Sequence, residues 1–201
     1  MKKVALFLGL ITPILAMADW PIGYGVGLET QAGGYHWATD RRAGEPDQEI
    51  NLGSGMYFYG VAVAEFPWLS QLELRSRLGV KTNSGEDDDV AYSKRSFPVE
   101  LGVRYTNDCT ILTALTCGFF VEAGAVHQFN ARYTARGNRF QRDEFSTEAS
   151  YSVRAGWYFF YVSYWHQEYQ LAGETYDASS VNFGLEIALT KVGNWAFGLK
   201  K

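Results

Sequence analysis

Phe97-Pro98-Val99-Glu100-Leu101-Gly102-Val103-Arg104-Tyr105-Thr106 is the stretch that decides how this chain folds. Phe97, Val99, Leu101, Val103 and Tyr105 alternate with Glu100, Gly102, Arg104 and Thr106. A period of two means a β-strand with one apolar and one polar face. The same alternation returns near the C-terminus. There Val181, Phe183, Leu185, Ile187 and Leu189 are set against Ser180, Asn182, Gly184 and Glu186. In such segments the polar face repeatedly carries Glu or Arg near mid-strand.

Working outward on this pattern, eight strands are expected, at 21–31, 52–65, 70–81, 93–106, 118–133, 145–156, 158–170 and 178–190. Pro98 breaks the rule that central strands avoid proline and marks a bulge near one rim. The connections are unequal. A polar loop over 32–51, an acidic one around Asn83 to Asp89, a basic one over 134–144 and a last one over 171–177 are long. Phe66-Pro67-Trp68-Leu69 and the region near Gly156–Tyr158 are tight turns. Outer-membrane barrels have long extracellular loops and short periplasmic turns. The segment holding Cys109 and Cys117 is the exception, being long for a periplasmic turn.

The chain opens like an export signal. Lys2 and Lys3 precede an apolar run from Val4 to Leu15, and Ala16-Met17-Ala18 is an A-x-A cleavage site. The run is too short to span a bilayer of about 30 Å as a helix. Residues 1–18 are therefore expected to be a signal peptide, and 19–201 a single domain with 191–201 as a periplasmic tail. Of 18 Lys and Arg, removing Lys2 and Lys3 leaves 16 against 22 acids, a net charge of −6. That balance argues against nucleic acid as a partner. Export puts Cys109 and Cys117 in an oxidising space, where a disulfide closing their short loop is expected. A metal pair or free nucleophile would need His or acid partners nearby.

Two closed barrels share a period-two pattern. A lipocalin-like barrel is apolar inside, and a membrane barrel is apolar outside. The polar parity is rich in glycine (Gly23, Gly25, Gly27, Gly79, Gly102, Gly124, Gly156, Gly184), which suits a crowded lumen. It also carries both signs of charge. Glu29, Glu73, Glu100, Glu122, Glu148 and Glu186 oppose Arg75, Arg77, Arg104, Arg132 and Arg154. Near-neutral pairing is what a closed lumen requires. Aromatics gather at strand ends, Trp20, Trp68, Trp157 and Tyr105 at one and Tyr92, Tyr133, Phe145 and Tyr169 at the other, as a double girdle would.

Asn182-x-Gly184-x-x-Ile187-x-Leu189 resembles the assembly signal on the last strand of outer-membrane proteins, although the chain runs on to Leu199-Lys200-Lys201 instead of ending on an aromatic. Nearly the whole mature length resembles the small OmpA/OmpX-type barrels. That resemblance implies an all-β, eight-stranded antiparallel up-and-down transmembrane β-barrel in the Gram-negative outer membrane. It also implies a monomer inserted by the barrel-assembly machinery. Because it is a likeness of architecture, it carries little about activity.

Eight strands leave room only for side chains, so a structural or surface-interaction role through the loops is the leading expectation. Arg41, Arg42, Arg136, Arg139 and Arg142 are candidates to contact lipopolysaccharide phosphates, with an ordinary solvated loop as the plainer reading. Glu86, Asp87, Asp88 and Asp89 offer a cation site, again against simple solvation. A second hypothesis is an enzyme on outer-leaflet lipids. Lipid A deacylases are eight-stranded barrels with a Ser–His–acid site at the outer rim, the serine two residues after the histidine. Here His166 is followed at that spacing by Glu168, so the activity does not carry over. Ser179 or Ser180 would have to supply the nucleophile, and Ser180 is taken as the candidate with His166 and Glu168. A soluble lipocalin-like carrier is a third, and a weak ion pore a fourth, if the Glu/Arg pairs part. His127 reads as an interfacial or neighbour-bonded side chain, and with His36 and His166 makes no metal site. No cofactor is implied. The facing of the seventh strand stays open: Tyr161, Ser163, Trp165 and Gln167 line the lumen, or Tyr164 and His166 do.

Overall fold

The computed structural model describes residues 22–32, 38–40, 48–50, 54–66, 68–87, 90–107, 118–136, 141–144, 146–147, 150–171, 174–177 and 179–189. Residues 1–18, where a signal is expected, and Cys109, Cys117, Glu148, Arg41, Arg42, Arg139 and Phe145 lie outside these, as does Trp20. Eight long strands make the barrel: β1 (Ile22–Ala32), β4 (Ser54–Phe66), β5 (Leu69–Asp87), β6 (Val90–Thr106), β7 (Phe119–Arg136), β10 (Ser150–Trp157), β11 (Phe160–His166) and β14 (Ser180–Ala188). Six shorter ones are β2 (Ala38–Asp40), β3 (Gln48–Ile50), β8 (Gln141–Glu144), β9 (Ser146–Thr147), β12 (Glu168–Leu171) and β13 (Glu174–Asp177).

Each long strand pairs antiparallel with the next, and β1 pairs with β14 to close the ring. The fold is all-β, a closed eight-stranded up-and-down barrel, with no helix among the described residues. The small β2–β3 hairpin and the β9–β12–β13 ribbon extend from it.

Alternation sets the two faces. Along β4, Tyr57, Tyr59, Val61 and Val63 are buried, while Met56 and Phe58 are exposed. Along β10, Ser152 and Arg154 point in while Tyr151, Val153 and Trp157 point out. The open question of the seventh strand is settled by its neighbour. Ser163 is the Cα partner of Asn182 and Tyr164 that of Val181, so Tyr161, Ser163, Trp165 and Gln167 face inward. Val162, Tyr164 and His166 face outward.

The lumen is not filled by charge alone. Tyr57, Tyr59, Tyr161 and Trp165 form an aromatic wall with Val61, Val63, Phe120 and Val126. The glycines on this parity make room for it. A Cβ at Gly27 would meet the Tyr59 ring, and one at Gly184 the Tyr161 ring. At one end the chain turns through Tyr158, at φ 52°, whose ring lies over Gly118, at φ 78°, a conformation that favours glycine.

Near Pro98 the β6–β7 register shifts. Arg95 faces Arg132 but Phe97 faces Phe129, so β7 holds one extra residue, and Asn130 takes φ 49° there. This is the bulge expected in that region. It reverses the parity of β7 beyond it.

Candidate functional site: the charged lumen and the rim

Antiparallel register brings the inward charges face to face. Glu73 is the Cα partner of Arg104, Arg77 of Glu100, and Glu122 of both Arg104 and Arg154. Long side chains from β5, β6, β7 and β10 then converge with Glu29 of β1 and Glu186 of β14. Arg77 is the centre. It forks onto Glu122, with Nη2 2.9 Å from Oε2, and donates to Glu186 from Nη2 at 3.0 Å and Nε at 3.1 Å. It also lies 3.8 Å from Glu100. Such bidentate geometry is the strong form of a charged hydrogen bond.

Arg75 donates to Glu73 and Glu186, and Arg104 donates from Nε to Glu122 at 2.8 Å. Arg104 also stacks its guanidinium over Phe120, 3.7 Å from the ring centre. Arg154 forks onto Glu100 and reaches Glu29 at 3.4 Å. Glu29 accepts from Tyr161 Oη at 3.0 Å and Ser163 Oγ at 2.8 Å. Nine residues expected in the lumen network are therefore brought together: Glu29, Glu73, Arg75, Arg77, Glu100, Arg104, Glu122, Arg154 and Glu186.

Arg132 is a correction. It lies beyond the bulge and pairs across the ladder with the outward Arg95, so it leaves the lumenal parity. On its other side Arg132 is the Cα partner of Glu144 on β8. Three charges missed by the sequence reading are buried instead: Glu65, Lys81 and Lys94. Lys81 sits with its ammonium 4.1 Å from the Trp165 ring centre. Their signal was present, because each continues the inward parity of its strand to an end of the span assigned from sequence. With them, six carboxylates (Glu29, Glu65, Glu73, Glu100, Glu122, Glu186) meet six cations (Arg75, Arg77, Arg104, Arg154, Lys81, Lys94) in the described lumen. A balanced, hydrogen-bonded set is the condition under which buried charge is tolerated.

A second group sits on the outward face at the far end of β11. His166 Nδ1 is 3.0 Å from Ser179 Oγ, across the β11–β14 pair. Its Nε2 is 3.5 Å from Glu168 Oε1, two residues along the same face. Tyr151 packs its ring 4.8 Å from the imidazole centre. Ser180 is a correction: it faces the lumen, buried, and points its hydroxyl at Asn182. The serine beside His166 is Ser179. His127 stands outward against Phe129, with ring centres 4.4 Å apart. No group of three metal-ligating residues occurs among the described residues.

At the near end Trp68, Trp157 and Tyr105 are exposed. Of the aromatics expected at the opposite end, Tyr92, Tyr133 and Tyr169 are strand residues of β6, β7 and β12; Arg136 ends β7 and Arg142 is the second residue of β8. No protein-family model matches this chain, and no curated protein is similar enough to count as a relative.

Proposed function

We propose that this chain is a bacterial outer-membrane β-barrel of the OmpA/OmpX type, exported by a cleaved signal at 1–18, with a sealed lumen and a structural or surface-interaction role carried by its loops. The observation that carries the reading is the outward face. On β6 it is apolar from Phe97 to Tyr105, on β5 from Leu72 to Val80 with only Ser76 between, and on β14 from Val181 to Leu189. Eight residue steps at about 3.4 Å, tilted by about 40°, give a band roughly 21 Å tall, close to the apolar belt of about 25 Å on such barrels. Above the band the outward parity turns polar at Thr30, Ser54, Thr82, Ser84, Ser93, Arg95, His127 and His166. Below it stand Trp68, Trp157 and Tyr105, suited to an aqueous interface.

A water-soluble barrel would present the reverse. A lipocalin-like carrier keeps an apolar cavity inside, whereas this interior is packed with ion pairs and rings. A conducting pore is disfavoured by the same packing, since Arg77, Arg75 and Arg154 each cross to carboxylates on other strands. On this reading the barrel is a monomer inserted by the barrel-assembly machinery. Its partners are outer-membrane lipids, with Arg41, Arg42, Arg136, Arg139 and Arg142 offered to lipopolysaccharide phosphates.

The test is gel mobility of the protein in isolated outer membranes, boiled against unboiled. A heat-dependent shift in that fraction is the expected result. Recovery in the soluble periplasm with no shift would refute membrane insertion.

A further inference from the structure

We propose that Ser179, His166 and Glu168 form a serine esterase site at the rim of the barrel, acting on esters of long acyl chains. Three observations converge. First, the residue types and order are those of an activated nucleophile: hydroxyl, imidazole, carboxylate, with the base held from its other side. His166 Nδ1 lies at hydrogen-bond distance from Ser179 Oγ, 3.0 Å, and Nε2 lies 3.5 Å from Glu168 Oε1. The neutral tautomer with its proton on Nε2 leaves Nδ1 free to accept from the serine hydroxyl. Second, the nucleophile immediately precedes the neighbouring strand β14, next to the Trp165–Ser180 pair, so the meeting is set by register and not by spacing within one segment. Third, the ring packed against the histidine, Tyr151, lines one end of an apolar trough. Tyr151, stacked on His166, is the Cα partner of both His166 and Ala125. From Tyr151 a trough of about 470 Å³ runs along the outward face between Leu101, Val103, Ala123, Ala125 and Val153.

The side chains of the triad are partly open to solvent, His166 at 27% and Glu168 at 39%, so a substrate can reach them. A buried structural Ser–His pair would not be open in this way. The chain of the ester is the occupant of the trough. Ser179, the residue before β14, and the edge of the trough on β10 are separated by β11, so two strand spacings, about 10 Å, lie between the reacting carbonyl and the trough. A short acyl group cannot bridge that distance and a long one can.

In the reaction Ser179 Oγ bonds to the ester carbonyl carbon while His166 Nδ1 takes the hydroxyl proton. The carbon–alkoxy bond then breaks, and His166 returns the proton to the departing alkoxide, releasing an alcohol. Water attacks the acyl-serine and gives its proton to His166. The acyl–Oγ bond breaks, Ser179 recovers the proton, and a carboxylic acid leaves. The carboxylate of Glu168 stabilises the transient imidazolium. No co-reactant beyond water is needed. That substrate meets the site from a lipid layer rests on the membrane reading above; the chemistry does not.

The experiment uses the full chain purified in detergent, with folding checked by the compact unboiled gel band. 4-Nitrophenyl laurate and 4-nitrophenyl butyrate are the substrates, and a fluorophosphonate is the covalent probe. Expected are hydrolysis with laurate preferred, an adduct mapped to Ser179, and a loss of about a hundredfold or more in S179A and H166Q. E168Q should lose less, and S180A, altered on the lumenal side, should retain turnover. Folded protein with neither turnover nor adduct would overturn the proposal, as would turnover that survives S179A. Failure of the membrane reading would show separately, as protein absent from the outer-membrane fraction while the detergent assay still reports its own result.

Discussion

Replacing Arg77 by methionine is the sharpest probe of how the lumen is held together. Arg77 is wholly buried and binds two carboxylates, Glu122 and Glu186, with a third, Glu100, at 3.8 Å. Methionine keeps most of the length and removes the charge. Glu122 would retain Arg104 at 2.8 Å, with Arg154 at 3.5 Å and Arg75 at 3.6 Å, and Glu186 would retain Arg75 and Arg104. These partners soften the loss without supplying the missing fork, and the six-to-six balance of the described lumen is broken. Removing one partner of a buried pair costs on the order of 3–5 kcal/mol. That is a large part of a typical stability of about 5–15 kcal/mol. The double variant R77M/E122Q removes one charge of each sign, so it should fall short of the summed single effects by about 1–3 kcal/mol. Equilibrium urea unfolding in detergent micelles, followed by the fluorescence of the tryptophans, measures all three. A cost below about 1 kcal/mol for R77M, or strict additivity in the double variant, would refute the view that the lumen is a coupled ion-pair network.

Arg104→Ala takes one cation from both Glu122 and Glu186, leaves the lumen one positive charge short and removes the stacking on Phe120, and should cost on the order of 3–5 kcal/mol in the same assay. Gly184→Ala drives a Cβ into the Tyr161 ring and should lose about 1–3 kcal/mol, whereas Gly60→Ala meets open space and should stay within about 0.5 kcal/mol. Val153→Arg, on the outward face, should cost about 2–4 kcal/mol when unfolding is measured from lipid bilayers; a change near zero would mean that this face meets water. A non-reducing peptide map should recover Cys109 and Cys117 joined, and two free thiols would dismiss that bond.

Much of the site was legible because parity is a local property. Once Val99, Leu101 and Val103 are on one face, Glu100 and Arg104 must share the other, whatever the barrel does. The same holds for Glu186 against Phe183 and Ile187. The reading failed where parity was interrupted or ambiguous. Arg132 was assigned inward by counting along β7, and the extra residue at Asn130 turned it out. Ser180 was favoured over Ser179 because both parities of β11 are aromatic, so the face of His166 was undetermined. Lys81 and Lys94 were passed over because strand ends, where loops carry charge, are where a buried cation looks most like a solvated one.

The sequence by itself determined that the chain is built of strands, that each strand has an apolar and a polar side, and that the polar sides carry nearly matched charge. Those facts follow from the two-residue period of extended backbone, which needs no partner to be read. Which carboxylate meets which guanidinium was decided only by tertiary structure. So were the inward turn of Trp165, the outward turn of Arg132, and the meeting of His166 with Ser179. Each depends on the register between neighbouring strands, and a single bulged residue moves every side chain beyond it to the opposite face.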